Sequence, residues 1–213
     1  LKSTSGKIQG PYGHPVDGTA NKSQSLLDAS DAEYTEWGCG QSILRIPTGQ
    51  YAGIYALWVA ETGRGEGLGN FYQKIMISRM SSPWQLSGEP GIVTTPTQPW
   101  EKKGASELLP QVVEGATAVY GKHGEIFLAY CGSGYWSDYG LGQLTLKRTG
   151  TDYMNPLLTS SWVKYDNNPI FSSRQSEDMR GAGHAFFLKD EKDSLFMCYH
   201  AYPFDGEKRG SAR

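Results

Sequence analysis

The sequence predicts an all-β fold assembled from repeated four-stranded antiparallel units, the plan of a β-propeller. Three observations carry this reading. Aromatic residues make up 12 % of the 213 residues, and glycine (27) and proline (11) are frequent, while long Ala/Leu/Glu/Lys stretches are scarce. Short apolar segments alternate with turns that are polar or carry Gly or Pro. The same strand–turn–strand plan also returns three times at a period of about 70 residues.

In chain order, residues 37–44 lead through a turn at 47–50 into 51–58, with a third strand at 73–78 and an outer element at 82–86. The second unit runs from 113–120 through Gly121 to Gly124 into 125–130, with a third strand at 142–146 and an outer element at 160–164. The third runs from 180–187 through 189–193 into 194–199. Tyr55, Phe127 and Phe196 occupy equivalent positions, 72 and 69 residues apart. Trp84, Trp100 and Trp162 read as packing residues of the outer elements. Residues 26–35 carry the one trace of helical periodicity, so no long helix is expected. The Gly-rich run at 63–70 leads into a strand instead of a helix, so it reads as a hairpin loop and not a phosphate cradle.

Closed propellers have about four to eight blades. Three units are therefore expected to be part of a larger ring, with residues 1–213 forming one propeller domain cut at both ends. The net charge is −2, with Lys and Arg scattered, which argues against a nucleic-acid partner. No apolar run approaches the length of a membrane span. Cys39, Cys131 and Cys198 are widely spaced and form no CxxC pair, so they read as small buried hydrophobes.

In a propeller the innermost strands converge at one mouth of the central channel. Three polar residues head those strands here: Gln41, Glu114 and His184. They are expected to share one site. A propeller used only for protein interaction predicts instead that they do not meet.

Several segments resemble the five-bladed propellers of glycoside hydrolase family 43, the arabinofuranosidase, xylosidase and arabinanase group. Val113-Glu114-Gly115-Ala116 resembles the family's Glu-Gly-Pro at the general acid. Gly181-Ala182-Gly183-His184-Ala185-Phe186-Phe187 and Tyr199-His200-Ala201 resemble its Gly-Pro-Gly-His-Asn-Ser-Phe and Tyr-His-Ala. Ala129-Tyr130-Cys131-Gly132-Ser133-Gly134 is similar to its Thr-Tyr-Ser-Ala-Ser-Gly.

The resemblance implies inverting hydrolysis of arabinose- or xylose-containing saccharides outside the cytoplasm, with no cofactor required. It also implies Glu114 as acid and His184 beside an axial water or a calcium ion. The family's acid-tuning Asp falls near Gly40, in Trp37-Gly38-Cys39-Gly40-Gln41-Ser42, unless Asp28 or Asp31 turns inward. No general base is identified, since Asp17 sits in a turn between units. A propeller that binds sugars without cleaving them is the alternative. Further substrate contacts are expected from Gln41, from Trp37 as a sugar platform, from Tyr135 and Trp136 in the loop that also holds Asp138 and Tyr139, and from Arg180.

Overall fold

The computed structural model describes residues 38–83, 85–135 and 138–203, together with Lys2, Ser3, Ser5, Lys7, Gln9, Tyr12, Gly13, Ser211 and Ala212. Trp37, Trp84, Trp136, Asp17, Asp28, Asp31 and the 26–35 stretch lie outside them. Two-residue strands β1 (Lys2–Ser3) and β2 (Tyr12–Gly13) pair with each other.

Sheet I is a meander of β3 (Gly38–Ile46), β4 (Gly53–Thr62), β5 (Tyr72–Ser82) and β6 (Gln85–Thr94). Sheet II orders β7 (Val113–Tyr120), β8 (Ile126–Gly132), β9 (Gly140–Leu146) and, after the small ribbon β10–β11 (Arg148–Thr149, Asp152–Tyr153), β12 (Trp162–Lys164). Sheet III contains β13 (Arg180–Lys189), β14 (Leu195–Tyr202) and β15 (Ser211–Ala212). All pairings within the three sheets are antiparallel. Among the described residues no helix is long and apolar enough to cross a membrane.

The alternation in β5 shows why these segments are strands. Ile75 and Ile77 are fully buried, while the alternate residues Lys74 and Met76 are partly exposed. Together with Leu44, Leu57, Val113, Ile126, Leu128 and Leu144 they form one core shared by sheets I and II. Trp100 fills a gap in that core. It belongs to a 3₁₀ turn (Pro99–Lys102) joining the two sheets, not to an outer strand as its recurrence suggested. Its ring lies so close to Gly132 and Gly142 that a Cβ there would stand 2.6 Å and 2.7 Å from it. Trp162 does sit on the outer strand, buried, with its indole N–H donating to the Pro156 carbonyl at 2.9 Å.

The carboxylate of Glu101, next to Trp100, is wholly buried. It accepts hydrogen bonds from the Thr97 and Gln98 amides at 2.7 Å, the Tyr130 hydroxyl at 2.6 Å and Lys164 Nζ at 2.6 Å. One charge thus ties the inter-sheet turn to β8 and β12. Burial, followed by the Glu101 charge, raises the Tyr130 phenol, and burial lowers Lys164 against the pull of Glu101.

The inner strands share one irregularity. In β3 two residues, Gly40 and Gln41, oppose one between the pairs Cys39↔Val59 and Ser42↔Leu57. In β7 the same bulge falls between Glu114↔Cys131 and Thr117↔Ala129, and in β13 between Gly183↔His200 and Phe186↔Cys198. The first bulged residue has positive φ each time: Gly40 at 61°, Gly115 at 61° and His184 at 48°. The hydroxyl two residues on clasps the next sheet, Ser42 donating to the Ala116 carbonyl and Thr117 to that of Ala185 at 3.0 Å. Sheets I, II and III therefore follow one another about a common line of inner strands. Beyond the bulge, Leu44↔Tyr55, Val119↔Phe127 and Leu188↔Phe196 pair identically, so the equivalence of Tyr55, Phe127 and Phe196 holds.

The cysteines do not share one fate. Cys131 is buried, Cys39 is half-buried and Cys198 is exposed. Cys198 pairs with Phe186 on a face of sheet III where Phe186, Leu188 and Phe196 are also exposed, so burial as a small hydrophobe applies to Cys131 alone.

Candidate active site at the bulges of the inner strands

The bulges of β7 and β13 bring Glu114 and His184 to one cavity of about 250 Å³, lined also by Tyr135, Tyr139, His200 and Tyr202. Glu114 is half-buried, while Tyr135 and His184 are exposed at the rim. Gly115 is needed between them. At φ 61° a side chain would be strained, and its Cβ would stand 3.4 Å from both His184 Nδ1 and Cys131 Sγ. His184 holds an unusual left-handed backbone, and its amide donates to Cys131 Sγ at 2.9 Å. Non-glycine residues strained in this way cluster at functional sites.

The floor is aromatic. Tyr139 is buried and donates its hydroxyl to Glu114 Oε1 at 2.6 Å. Its ring stacks on His200, with centroids 5.4 Å apart and planes 12° apart, and Tyr202 meets His200 edge-on. Burial first, then the neighbouring His184, lowers the His200 imidazole, with Glu114 opposing. Burial pushes the Tyr139 phenol well up, and the negative charges possible at Cys131 and Glu114 add to it.

Not every expected residue arrives. Gln41 is exposed on the β3 bulge and does not line the cavity, because the shared bulge register aligns it with Ala116 and Ala185, not with Glu114. The counterpart of Glu114 in sheet I is Cys39, whose thiol is raised by burial and then by the charges of Glu114 and Glu61. Gly40 corresponds to Gly115, so neither Cys39 nor Gly40 brings a second carboxylate. Arg180 is exposed at the start of β13, also outside the lining. Trp37 and Trp136 fall outside the described residues. His200 and Tyr202 join the site without having been expected there. Their spacing of two on a strand, the period of one face, is the signal that pairs them.

Calcium takes about six to eight oxygen ligands. The cavity offers one carboxylate, two imidazoles and phenol groups, and among the described residues no three His, Cys, Asp or Glu side chains group to hold a metal ion. Among the described residues, the donor set at His184 does not fit calcium.

The buried acids set an alkaline limit. Burial pushes the Cys131 thiol from 9.0 up to about 12. A pKa raised by folding contributes stability that is complete below the unfolded value and is lost as pH rises towards the folded one. Stability should therefore fall by about 1.4 kcal/mol per pH unit above pH 9 through this thiol alone. Tyr130 and Tyr139 add to the loss above their ordinary 10.0. Urea unfolding at pH 8, 9 and 10 measures this, and Cys131→Ala should flatten the step between 9 and 10. An equally steep step in that variant contradicts the assignment.

The sequence profile of "Glycosyl hydrolases family 43" matches residues 3–211. The chain belongs to this family. Within it, the chain is 30 % identical over 148 residues to α-L-arabinofuranosidase B of Pyricularia oryzae, covering 69 % of this chain and 28 % of that protein. It is likewise 30 % identical over 149 residues to an extracellular exo-α-(1→5)-L-arabinofuranosidase of Streptomyces chartreusis, covering 69 % and 40 %.

Among solved structures, the family 43 fold recurs in an α-L-arabinofuranosidase from Lactobacillus brevis, with TM-score 0.63 and 24 % identity over 81 % of this chain and 48 % of that one. A thermostable family-43 glycoside hydrolase gives TM-score 0.57 at 23 % identity over 78 % and 50 %. The chain thus spans about half the length of these two solved relatives and less of the two curated ones. Sheets I, II and III are blades of the family's five-bladed propeller, the first two with four strands and the third with three among the described residues.

Proposed function

We propose that this chain supplies the acid side of an inverting glycoside hydrolase acting on arabinose- or xylose-containing saccharides. The observation that carries this reading is the position of Glu114. Its carboxyl stands at an inner-strand bulge, facing an open cavity with His184, His200 and three tyrosines. Glu114 gives its proton to the glycosidic oxygen as the bond to the anomeric carbon breaks. Water adds to that carbon from the opposite face and loses its proton to a second carboxylate.

In inverting enzymes the two carboxyl groups stand about 6.5–9.5 Å apart to admit that water. Glu114 is the single carboxylate among the described residues lining the cavity, so the base comes from a segment outside them. Tyr135 at the rim presents a ring face to a sugar, and Trp37 and Trp136 are candidates for further platforms. The arabinofuranosidase names of the relatives support the substrate class, and the extracellular naming of the Streptomyces enzyme supports action outside the cytoplasm.

The test is hydrolysis of 4-nitrophenyl α-L-arabinofuranoside and β-D-xyloside by the complete gene product, with NMR detection of the first-formed anomer. Turnover with inverted configuration is expected. Retention contradicts the mechanism. Sugar binding without turnover, the outcome favoured by Cys39 standing where a carboxylate could, supports a binding propeller instead.

A further inference from the structure

The polar groups of the cavity are not equally engaged, and the difference bears on how an acid in this place would work. A carboxylic acid carries its proton on either of two oxygens, and only a proton on the oxygen facing the leaving group is useful. In this chain Oε1 of Glu114 is already an acceptor, with the Tyr139 hydroxyl donating to it at 2.6 Å. A phenol whose ionisation is suppressed by burial remains a donor across the working pH range.

Tyr139 is also held in place from several sides. Its ring stacks on His200. It lies across β13 at Gly183, where even a Cβ would come within 2.3 Å of the ring. The Cys131 side chain on β8 also lies against its hydroxyl. A ring so fixed keeps its hydroxyl beside Glu114 Oε1.

We propose that Tyr139 is the positioning residue of the acid: by occupying Oε1 it confines the transferable proton of Glu114 to Oε2. This rests on the reading of Glu114 as proton donor, and goes beyond it by assigning the orientation of the acid to a residue of the loop after β8. Tyr139 touches no reacting atom. It acts through Glu114, and its loss should therefore matter only where protonation matters.

The experiment is kcat/KM of the complete gene product over a series of aryl α-L-arabinofuranosides, from poor leaving groups to 2,4-dinitrophenolate, for wild type, Tyr139→Phe and Glu114→Gln. Phenylalanine keeps the ring, the stacking and the fit against Gly183, and removes only the donor. A hydrogen bond to a charged group is worth about ten- to hundredfold. Tyr139→Phe should lose about that factor on the poorest leaving groups and less than about threefold on the best. Glu114→Gln should show the same dependence, more steeply.

Equal losses of Tyr139→Phe across the series, with or without a lowered thermal midpoint, mark a packing role and overturn the proposal. It is overturned as well if Glu114→Gln is steep and Tyr139→Phe is indistinguishable from wild type. If Glu114→Gln itself shows no dependence on the leaving group, the reading of Glu114 as acid has failed, and the proposal with it.

Discussion

Replacing Glu114 by glutamine is expected to lower kcat/KM of the complete gene product about 10²–10⁴-fold on substrates with poor leaving groups. The amide is close to the carboxyl in size and keeps an oxygen that can accept from Tyr139. It has no proton to transfer to a departing alkoxide. The loss should therefore be chemical and not conformational, appearing in kcat more than in KM. The thermal midpoint should stay close to wild type, because Glu114 is only half-buried and the groove stays filled. Activity within threefold of wild type on a natural oligosaccharide would remove Glu114 from the mechanism. A collapse of the midpoint would make it a structural residue.

The second large effect is on stability. Glu101 is fully buried and meets two backbone amides, a phenol and an ammonium, each at 2.6–2.7 Å. Removing one partner of such a buried pair costs about 3–5 kcal/mol, because the other charge is left uncompensated. Glu101→Leu should cost that much by urea unfolding. It strands Lys164, whose side chain is only 12 % exposed, and orphans the Thr97 and Gln98 amides. Adding Lys164→Met should recover part of the loss, since an apolar replacement of both charges is better tolerated than a lone charge. A loss below about 1 kcal/mol in Glu101→Leu would show that the pair contributes little. The effect on catalysis should be indirect, because Glu101 braces the inter-sheet turn and lies outside the cavity that holds Glu114.

Much of this architecture is legible in the sequence. The apolar hairpins around residues 55, 127 and 196 are visible because local patterning alone makes them strands, and their partners Leu44, Val119 and Leu188 confirm the register. Some strands are longer than patterning suggests. β6 runs from Gln85 to Thr94, whereas the sequence indicates only a short element at 82–86. Its ladder pairs with β5, Arg79↔Ser87 and Ile77↔Gly91, carry it across an irregular stretch at Gly88, Glu89 and Pro90, residues with little intrinsic strand preference.

The site is legible only in part, for a specific reason. Counting from the start of each apolar segment aligns Gln41 with Glu114 and His184. The bulge adds a residue on each inner strand, and the true counterparts differ by one or two positions. A bulge leaves a weak trace in sequence: Gly at 40 and 115, but His at 184. Tyr139 illustrates the other limit. The loop at 135–139 is recognisable as aromatic, yet its division into an exposed Tyr135 and a buried Tyr139 is decided by Gly183, on a strand distant in sequence. The pairing of Lys164 with Glu101 is invisible for the same reason.

The most direct measurement is a crystal structure of the complete gene product carrying Glu114→Gln, with an arabinose- or xylose-containing oligosaccharide bound. The sugar is expected in the cavity of His184, His200 and Tyr139, with its glycosidic oxygen about 2.6–3.2 Å from the side chain at position 114. A sugar seated elsewhere, or one whose glycosidic oxygen lies beyond reach of that side chain, contradicts the reading of Glu114 as acid.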